Sequence, residues 1–120
     1  MKAIYNEKNY QKVLKKRNKL FERICNKYHF TKSTWSNVKM VEITGIQGSL
    51  MNTYVHCNTE KIFVNVARDI VNNGKNELYF DEINTYTSYE EACEQIEKIL
   101  RKYKMLQLEI KQHEIEKDFQ

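Results

Sequence analysis

The spacing of apolar residues at the two ends of the chain constrains the fold more than any other feature of the sequence. From about Asn6 to His29 the apolar side chains recur every three or four residues, which is the period of an amphipathic helix. The stripe consists of Tyr10, Leu14, Phe21, Ile24 and Tyr28, with Val13, Leu20 and Cys25 alongside. The pattern predicts one long helix that buries a single face.

A second long helix is predicted near the other end, over about residues 88–118. Ser88 is followed three residues later by Glu91, which is the spacing of a capping box, so the helix should begin at Tyr89. Its predicted core face consists of Ala92, Cys93, Ile96, Ile99, Leu100, Tyr103, Leu106 and Ile110. This helix is longer than a domain of 120 residues normally needs.

Between the helices the sequence is rich in strand-forming residues and is interrupted by turn clusters. The predicted strands are Trp35–Thr44, Leu50–Cys57, Lys61–Ala67 and Glu77–Ile83, the second and third forming a hairpin. Phe30–Trp35 is predicted to be a loop and Arg68–Val71 a short turn of helix. We therefore expect one α+β domain over residues 1–120, with an N-terminal helix, a three- to four-stranded antiparallel sheet and a long C-terminal helix.

Composition excludes several classes of protein. Apolar runs such as Ile62–Val64 are far shorter than the roughly 20 residues that span a membrane. The first residues lack the apolar segment of a secretory signal, and the three cysteines are odd in number and far apart. These features predict a soluble protein of the reducing bacterial cytosol, with no membrane partner.

Charge is distributed unevenly. Residues 1–33 hold ten Lys or Arg against two carboxylates, a net charge of +8, whereas residues 34–87 and 88–120 each have a net charge of −2. At 100° per residue the cations of the first helix fall on the side opposite its apolar stripe. We call this set the basic face: Lys8, Lys12, Lys15, Lys16, Lys19, Arg23 and Lys27. Such a field attracts nucleic-acid phosphates or an acidic protein surface, although a merely solvated helix face is the alternative.

Arg17 is the exception among these cations, because it falls within the apolar stripe of the first helix. A buried guanidinium requires a partner. The sequence leaves two interpretations: a structural ion pair with a carboxylate of the sheet or of the C-terminal helix, or an arginine that faces a ligand in a cleft.

A second apolar stripe begins after about Lys104. It lies on a different side of the predicted helix from the core face, and we call it the C-terminal stripe: Met105, Leu108, Ile115 and Phe119. Either it packs on a partner, such as a second copy in a homodimer, or a kink near residue 104 folds both stripes onto one core.

No arrangement of residues predicts a reaction. Cys25 and His29, or His56 and Cys57, lack the spacing of common zinc motifs, so no metal or other cofactor is expected. A metal-dependent nuclease would need carboxylates such as those of Asp69, Asp81 and Glu82 to converge on one ion. There is no phosphate-binding glycine loop and no nucleophile motif, so we expect no enzyme.

Aromatic residues follow the predicted sheet and admit two interpretations. They would stack on nucleic-acid bases if one sheet face were open, or they are core and half-buried strand residues. The set is Trp35, Tyr54, Phe63, Tyr79, Phe80, Tyr86 and Tyr89.

The general organisation, a lysine-rich leading helix, a small sheet and a closing helix, resembles the small proteins that phages and plasmids use against host defence, including some CRISPR inhibitors. The chain has no proline and is rich in Lys, Asn, Ile and Tyr, which fits an AT-rich phage or low-GC bacterial gene. The resemblance implies a non-enzymatic inhibitor that binds a host nucleoprotein or nuclease, or its bound nucleic acid, through the basic face. The alternative is a small nucleic-acid-binding or regulatory protein that contacts phosphates with the same helix.

Overall fold

The computed structural model describes residues 7–36, 38–54 and 61–119, with the side chains of its first helix described from residue 10 onward. Helix α1 spans Glu7–Tyr28 and helix α2 spans Tyr89–Asp118. Both predicted helices are confirmed to within a residue or two. The Ser88 hydroxyl accepts a hydrogen bond from the Glu91 amide at 3.4 Å, as the capping box predicts for the start of α2.

In the described residues, six strands form one mixed sheet between the helices. They are β1 (Lys32–Trp35), β2 (Val38–Val41), β3 (Ile46–Gln47), β4 (Met51–Asn52), β5 (Val64–Asn72) and β6 (Leu78–Tyr86). Their order in the sheet is β1-β2-β4-β5-β6-β3, and all neighbours are antiparallel except β3 and β6, which are parallel. The α+β class is confirmed, and β4 and β5 pair as the predicted hairpin requires.

The predicted three to four antiparallel strands are corrected to six mixed strands. Strand β1 occupies the predicted loop; its four residues are all exposed, so they show no alternation of apolar and polar positions. Arg68–Val71, predicted as a helical turn, belongs to β5, which pairs with β6 on both sides of Arg68, over Val64–Ala67 and Asp69–Asn72. Strand β3 lies between Gly45 and Gly48, which both have φ of +89° and allow the chain to turn sharply on either side.

The sheet is strongly curled. Strand β2 ends at Val41 and β3 begins at Ile46, yet β4, β5 and β6 lie between them in the sheet. In a flat sheet these two strands would be about 19 Å apart, at about 4.8 Å per strand. The five chain steps that join them reach only about 17 Å when fully extended. The short connection therefore requires the curl that brings β3 back towards β2.

One cluster of buried side chains joins the sheet to both helices. Phe21 and Ile24 of α1 and Ile96 and Ile99 of α2 are buried in it. The sheet contributes, among others, Val41, Leu50, Met51, Val64, Val66 and Ile70. A partly buried polar network links β4, β5 and β6: the Asn65 amide donates to Asn52 Oδ1 at 2.9 Å, and the Thr85 hydroxyl donates to Asn65 Oδ1 at 2.8 Å. Both helices are thus fixed relative to the sheet.

Helix α2 extends beyond this core. Its 30 residues rise about 45 Å, and residues 111–119 are all exposed. The radius of gyration is 17.4 Å, compared with about 14 Å for a compact chain of this length, and the longest dimension is 67 Å. The helix runs without a break through residue 104, so the two apolar stripes are not folded onto one core.

Candidate functional site

The basic face is exposed along α1. Lys12, Lys15, Lys16 and Lys19 all lie on the solvent side of the helix, as do Arg23 and Lys27 towards its end. Lys8 belongs to the first turn of α1, but its side chain lies outside the described residues. The opposite side of the helix buries Phe21, Ile24 and Cys25 in the core. The helical period therefore separates the two faces, as the sequence predicts.

Two members of the basic face contact the start of α2. The Arg23 guanidinium carbon lies 3.7 Å from the centre of the Tyr89 ring, and the Lys27 Nζ lies 5.7 Å from it. An exposed cation over an aromatic ring gains about 0.5–1 kcal/mol. The Glu90 carboxylate is also nearby; hydrogen bonds with its own amide and with Ser88 lower its pKa, and the charge of Arg23 adds to this effect. Arg23 and Lys27 are thus partly used in holding the helices together.

The acidic residue within this part of α1 is neutralised by the sheet. Glu22 forms ion pairs with Lys32 of β1 and, at 3.0 Å, with Lys39 of β2. The hydrogen bonds from these two ammonium groups hold the pKa of the Glu22 carboxyl below its ordinary value. Glu22 therefore fixes the β1–β2 hairpin against α1 and leaves the charges of the basic face unopposed.

The remaining four side chains, Lys12, Lys15, Lys16 and Lys19, form what we call the lysine cluster. Within the described residues no carboxylate forms an ion pair with any of them. They extend over seven residue steps, or about 10 Å of helix. Lys12 with Lys16 and Lys15 with Lys19 are like-charged pairs at i,i+4, which each cost an isolated helix about 0.2–0.5 kcal/mol. A bound anion would relieve this repulsion, so the cluster is suited to a polyanion.

Arg17 is fully buried and contacts the segment that precedes β5. Its Nε donates a hydrogen bond to the Lys61 carbonyl at 2.6 Å, and its guanidinium carbon lies 4.5 Å from the centre of the Phe63 ring. Burial lowers the pKa of the guanidinium. The described contacts of Arg17 are thus with a main-chain carbonyl and a ring face, which favours the structural interpretation over a ligand-facing arginine. Arg17 joins α1 to the segment that precedes β5.

The cysteines and histidines do not assemble into a metal site where the structure describes them. Cys25 and Cys93 are buried free thiols, whereas His29 is exposed. Burial raises the pKa of the Cys25 thiol to about 11, so it is protonated and unreactive at neutral pH. His56 and Cys57 lie outside the described residues. Over residues 7–36, 38–54 and 61–119 no three His, Cys, Asp or Glu side chains are grouped to hold an ion.

The three carboxylates considered for a nuclease lie on β5 and β6 and have mostly structural partners. Asp69 and Asp81 are directly opposite each other in the sheet. Burial would raise the pKa of Asp69, but hydrogen bonds from Lys102 and from the Ile70 amide, both at 2.8 Å, lower it overall. Glu82 accepts a hydrogen bond from Arg68 at 2.7 Å. Two of these carboxylates thus already neutralise a cation of the chain itself.

The aromatic candidates divide into buried and exposed groups. Phe63 is buried, whereas Tyr79, Phe80, Tyr86 and Tyr89 are half-buried. Trp35, at the end of β1, is 73% exposed and Tyr54 is 46% exposed. Trp35 is therefore the most exposed of the described candidates and the ring best suited to stacking.

The C-terminal stripe is the largest exposed apolar feature of α2. Met105, Leu108, Ile115 and Phe119 are between 48% and 86% exposed. In the part of the chain that the structure describes, neither helix combines the length and apolar character needed to cross a membrane.

Some contacts of this surface have no signal in the sequence. The pairing of Arg23 with Tyr89 and of Glu22 with Lys32 and Lys39 depends on how α1 packs, which spacing along one helix cannot reveal.

Comparison with known proteins adds nothing to the site, since no family model, curated protein or solved structure matches the chain.

Proposed function

We propose that this chain is a non-enzymatic binding protein of phage or mobile-element origin that inhibits a host defence nucleoprotein, such as a CRISPR nuclease, in the bacterial cytosol. The observation that carries the proposal is the lysine cluster: four exposed cations on one helix face, with no described carboxylate paired to them. A nucleoprotein offers phosphates of its bound RNA and acidic protein patches, and both attract such a face.

The side chains of the lysine cluster are suited to contact with negatively charged groups and not to recognition of a nucleic-acid base sequence. Lysine ammonium groups are flexible point charges that bind phosphate oxygens without the planar, two-pronged geometry of arginine. Contacts of this kind position a partner and carry no base specificity. Arg17 is buried and Arg23 stacks on Tyr89, so the described arginines of α1 are engaged within the chain. The proposed contact is therefore electrostatic and strongly dependent on salt.

The test is inhibition of target-DNA cleavage by guide-RNA-loaded CRISPR nucleases. The variant Lys15→Glu, Lys19→Glu reverses two charges of the lysine cluster. Its matched control, Lys75→Glu, Lys117→Glu, makes the same change in net charge at two exposed positions away from α1. We expect the natural chain and the control to inhibit equally and the α1 variant to lose at least tenfold in potency. Equal potency of both variants, or no inhibition by the natural chain, would contradict the proposal.

A second candidate is a protein that binds free nucleic acid directly. The exposed ring of Trp35 favours it, because base stacking on an exposed ring contributes about 1–3 kcal/mol per base. Fluorescence anisotropy with free RNA, single-stranded DNA and duplex DNA separates the two candidates. Tight binding to a free strand that weakens in Trp35→Ala would favour the second, and binding restricted to the loaded nuclease would favour the first.

A further inference from the structure

The exposed face of α2 has the repeat of a coiled coil. Met105, Leu108, Gln112, Ile115 and Phe119 follow one another at intervals of three, four, three and four residues, which are heptad positions a and d. Four of these five side chains are apolar, and their exposed fractions are 63%, 66%, 48% and 86%. The seam extends over 14 residue steps, or about 21 Å, from Met105 to Phe119, the residue that directly follows α2.

By helical projection this seam points away from the core face of α2. At 100° per residue its mean direction is about 160° from that of the core face, to which Ile96, Ile99 and Tyr103 belong. Met105 is at the end of the seam nearest the sheet, where it lines a small cavity with Arg68 and Asp69. Leu108, Ile115 and Phe119 remain open to a second helix.

The charges beside the seam indicate which helix fits there. Lys104 and Lys111 occupy position g, and Glu109 and Glu116 occupy position e; all four are exposed. In a parallel, in-register pair, each g residue faces the e residue of the next heptad in the other helix. Lys104 of one protomer would then face Glu109 of its partner, and Lys111 would face Glu116, so that every such pair is attractive.

The antiparallel arrangement has weaker complementarity. There, g positions face g positions and e positions face e positions. When Met105 is set opposite Ile115 of the partner, Lys104 faces Asp118 and Lys102 faces Glu116, but Lys111 faces a second Lys111 and Glu109 faces a second Glu109. These two pairs of like charges, which have no equivalent in the parallel pair, disfavour this orientation.

We propose that two copies of the chain associate through a parallel, in-register coiled coil of residues 105–119. Gln112 meets its counterpart at the central a layer, where a polar residue fixes register and favours two strands at a cost in stability. The four apolar side chains offer roughly 500 Å² per copy, or about 1,000 Å² in total, which is the lower limit for a specific interface. The dimer is therefore weak and depends on protein concentration. This inference is independent of the proposed function.

Sedimentation equilibrium of the full chain over a range of concentrations tests the association. We expect the apparent mass to rise from 14.5 kDa towards twice that value, and the variant Leu108→Glu, Ile115→Glu to remain monomeric. The control variant Gln107→Glu, His113→Glu adds as many acidic residues at exposed positions outside the seam and should still dimerise. All substituted residues are exposed, and circular dichroism verifies that each variant is folded. A monomer at every concentration, or equal association of both variants, would overturn the proposal.

Orientation is tested by disulfide formation between copies that carry Cys57→Ser. Met105→Cys places the two new thiols in the same layer of a parallel coiled coil, where they can form a disulfide. In the antiparallel pairing each Met105→Cys thiol lies about 15 Å along the axis from its counterpart and cannot. Gln107→Cys, exposed and outside the seam, is the control. Cross-linking of Met105→Cys no faster than that of Gln107→Cys would refute the parallel orientation.

Discussion

Replacement of Arg17 tests how α1 is attached to the rest of the molecule. The side chain is 0% exposed, donates to the Lys61 carbonyl at 2.6 Å and lies over the Phe63 ring. Arg17→Ala removes a hydrogen bond from a charged donor, about 1.5–3 kcal/mol. It also removes a desolvated cation–π contact, about 2 kcal/mol, and several buried methylenes at about 0.8 kcal/mol each.

Arg17→Ala also removes a charge that is costly to bury, and this gain offsets the losses by several kcal/mol. We therefore expect Arg17→Ala to lower the free energy of unfolding by about 2–3 kcal/mol, which is within the range of a substitution that leaves a cavity. Arg17→Met keeps most of the buried volume without the charge, and should lie within about 1 kcal/mol of the natural chain.

Urea denaturation followed by far-ultraviolet circular dichroism is the appropriate assay. Trp35 is already 73% exposed in the folded state, so its fluorescence is a poor reporter of unfolding. A loss below about 0.5 kcal/mol for Arg17→Ala, close to that of a neutral surface substitution, would refute the structural role assigned to Arg17. Binding through the lysine cluster by the folded Arg17→Met protein should be unchanged, because Arg17 does not face solvent.

Two further predictions concern the junctions of α1 and α2 with the sheet. The pKa of Glu22 is lowered by Lys32 and Lys39, so its ion pairs stabilise the fold above the ordinary pKa of a glutamate, about 4.3, and this contribution is lost as pH falls through the lower folded value. Glu22→Gln should therefore reduce stability at pH 7 and show a smaller loss between about pH 5 and 3 than the natural chain, measured by thermal unfolding; parallel pH profiles would contradict this. Ser88→Ala removes the cap of α2 and should cost about 1 kcal/mol in urea denaturation, whereas Ser88→Asp should restore most of it; no difference between the two would argue against capping.

The parts of this fold that could be predicted are those specified by local spacing. Both helices have a clear 3.6-residue period, and Ser88 marks the start of α2, so their bounds follow from the sequence. Strand β1 has no such signal, because all four of its residues are exposed and its place depends on pairing with β2. Strand β3 has two residues, and only its parallel pairing with the distant Leu78 and Tyr79 makes it a strand.

The same division applies to the candidate site. Helical projection alone identifies the exposed lysines, since exposure follows from the period. It cannot show that Arg23 and Lys27 approach Tyr89. Nor can it show that Lys32 and Lys39 neutralise Glu22. Both contacts join residues that lie in different helices or strands, so spacing along one helix does not reveal them. Since Arg23 and Lys27 contact Tyr89, the described members of the basic face that are most open to a partner are Lys12, Lys15, Lys16 and Lys19.

The most direct test of the central claim is the salt dependence of binding to a short random-sequence RNA, the polyphosphate that the lysine cluster would meet whether the RNA is free or held as a guide. If the four lysines contact four phosphates, the logarithm of the association constant should fall with the logarithm of salt concentration with a slope of about −2.8, at about 0.7 per contact. Lys15→Gln, Lys19→Gln should reduce the slope to about −1.4, and Lys75→Gln, Lys117→Gln should leave it unchanged. Binding with a slope that is the same in all three proteins would contradict the assignment of α1 as the contact surface.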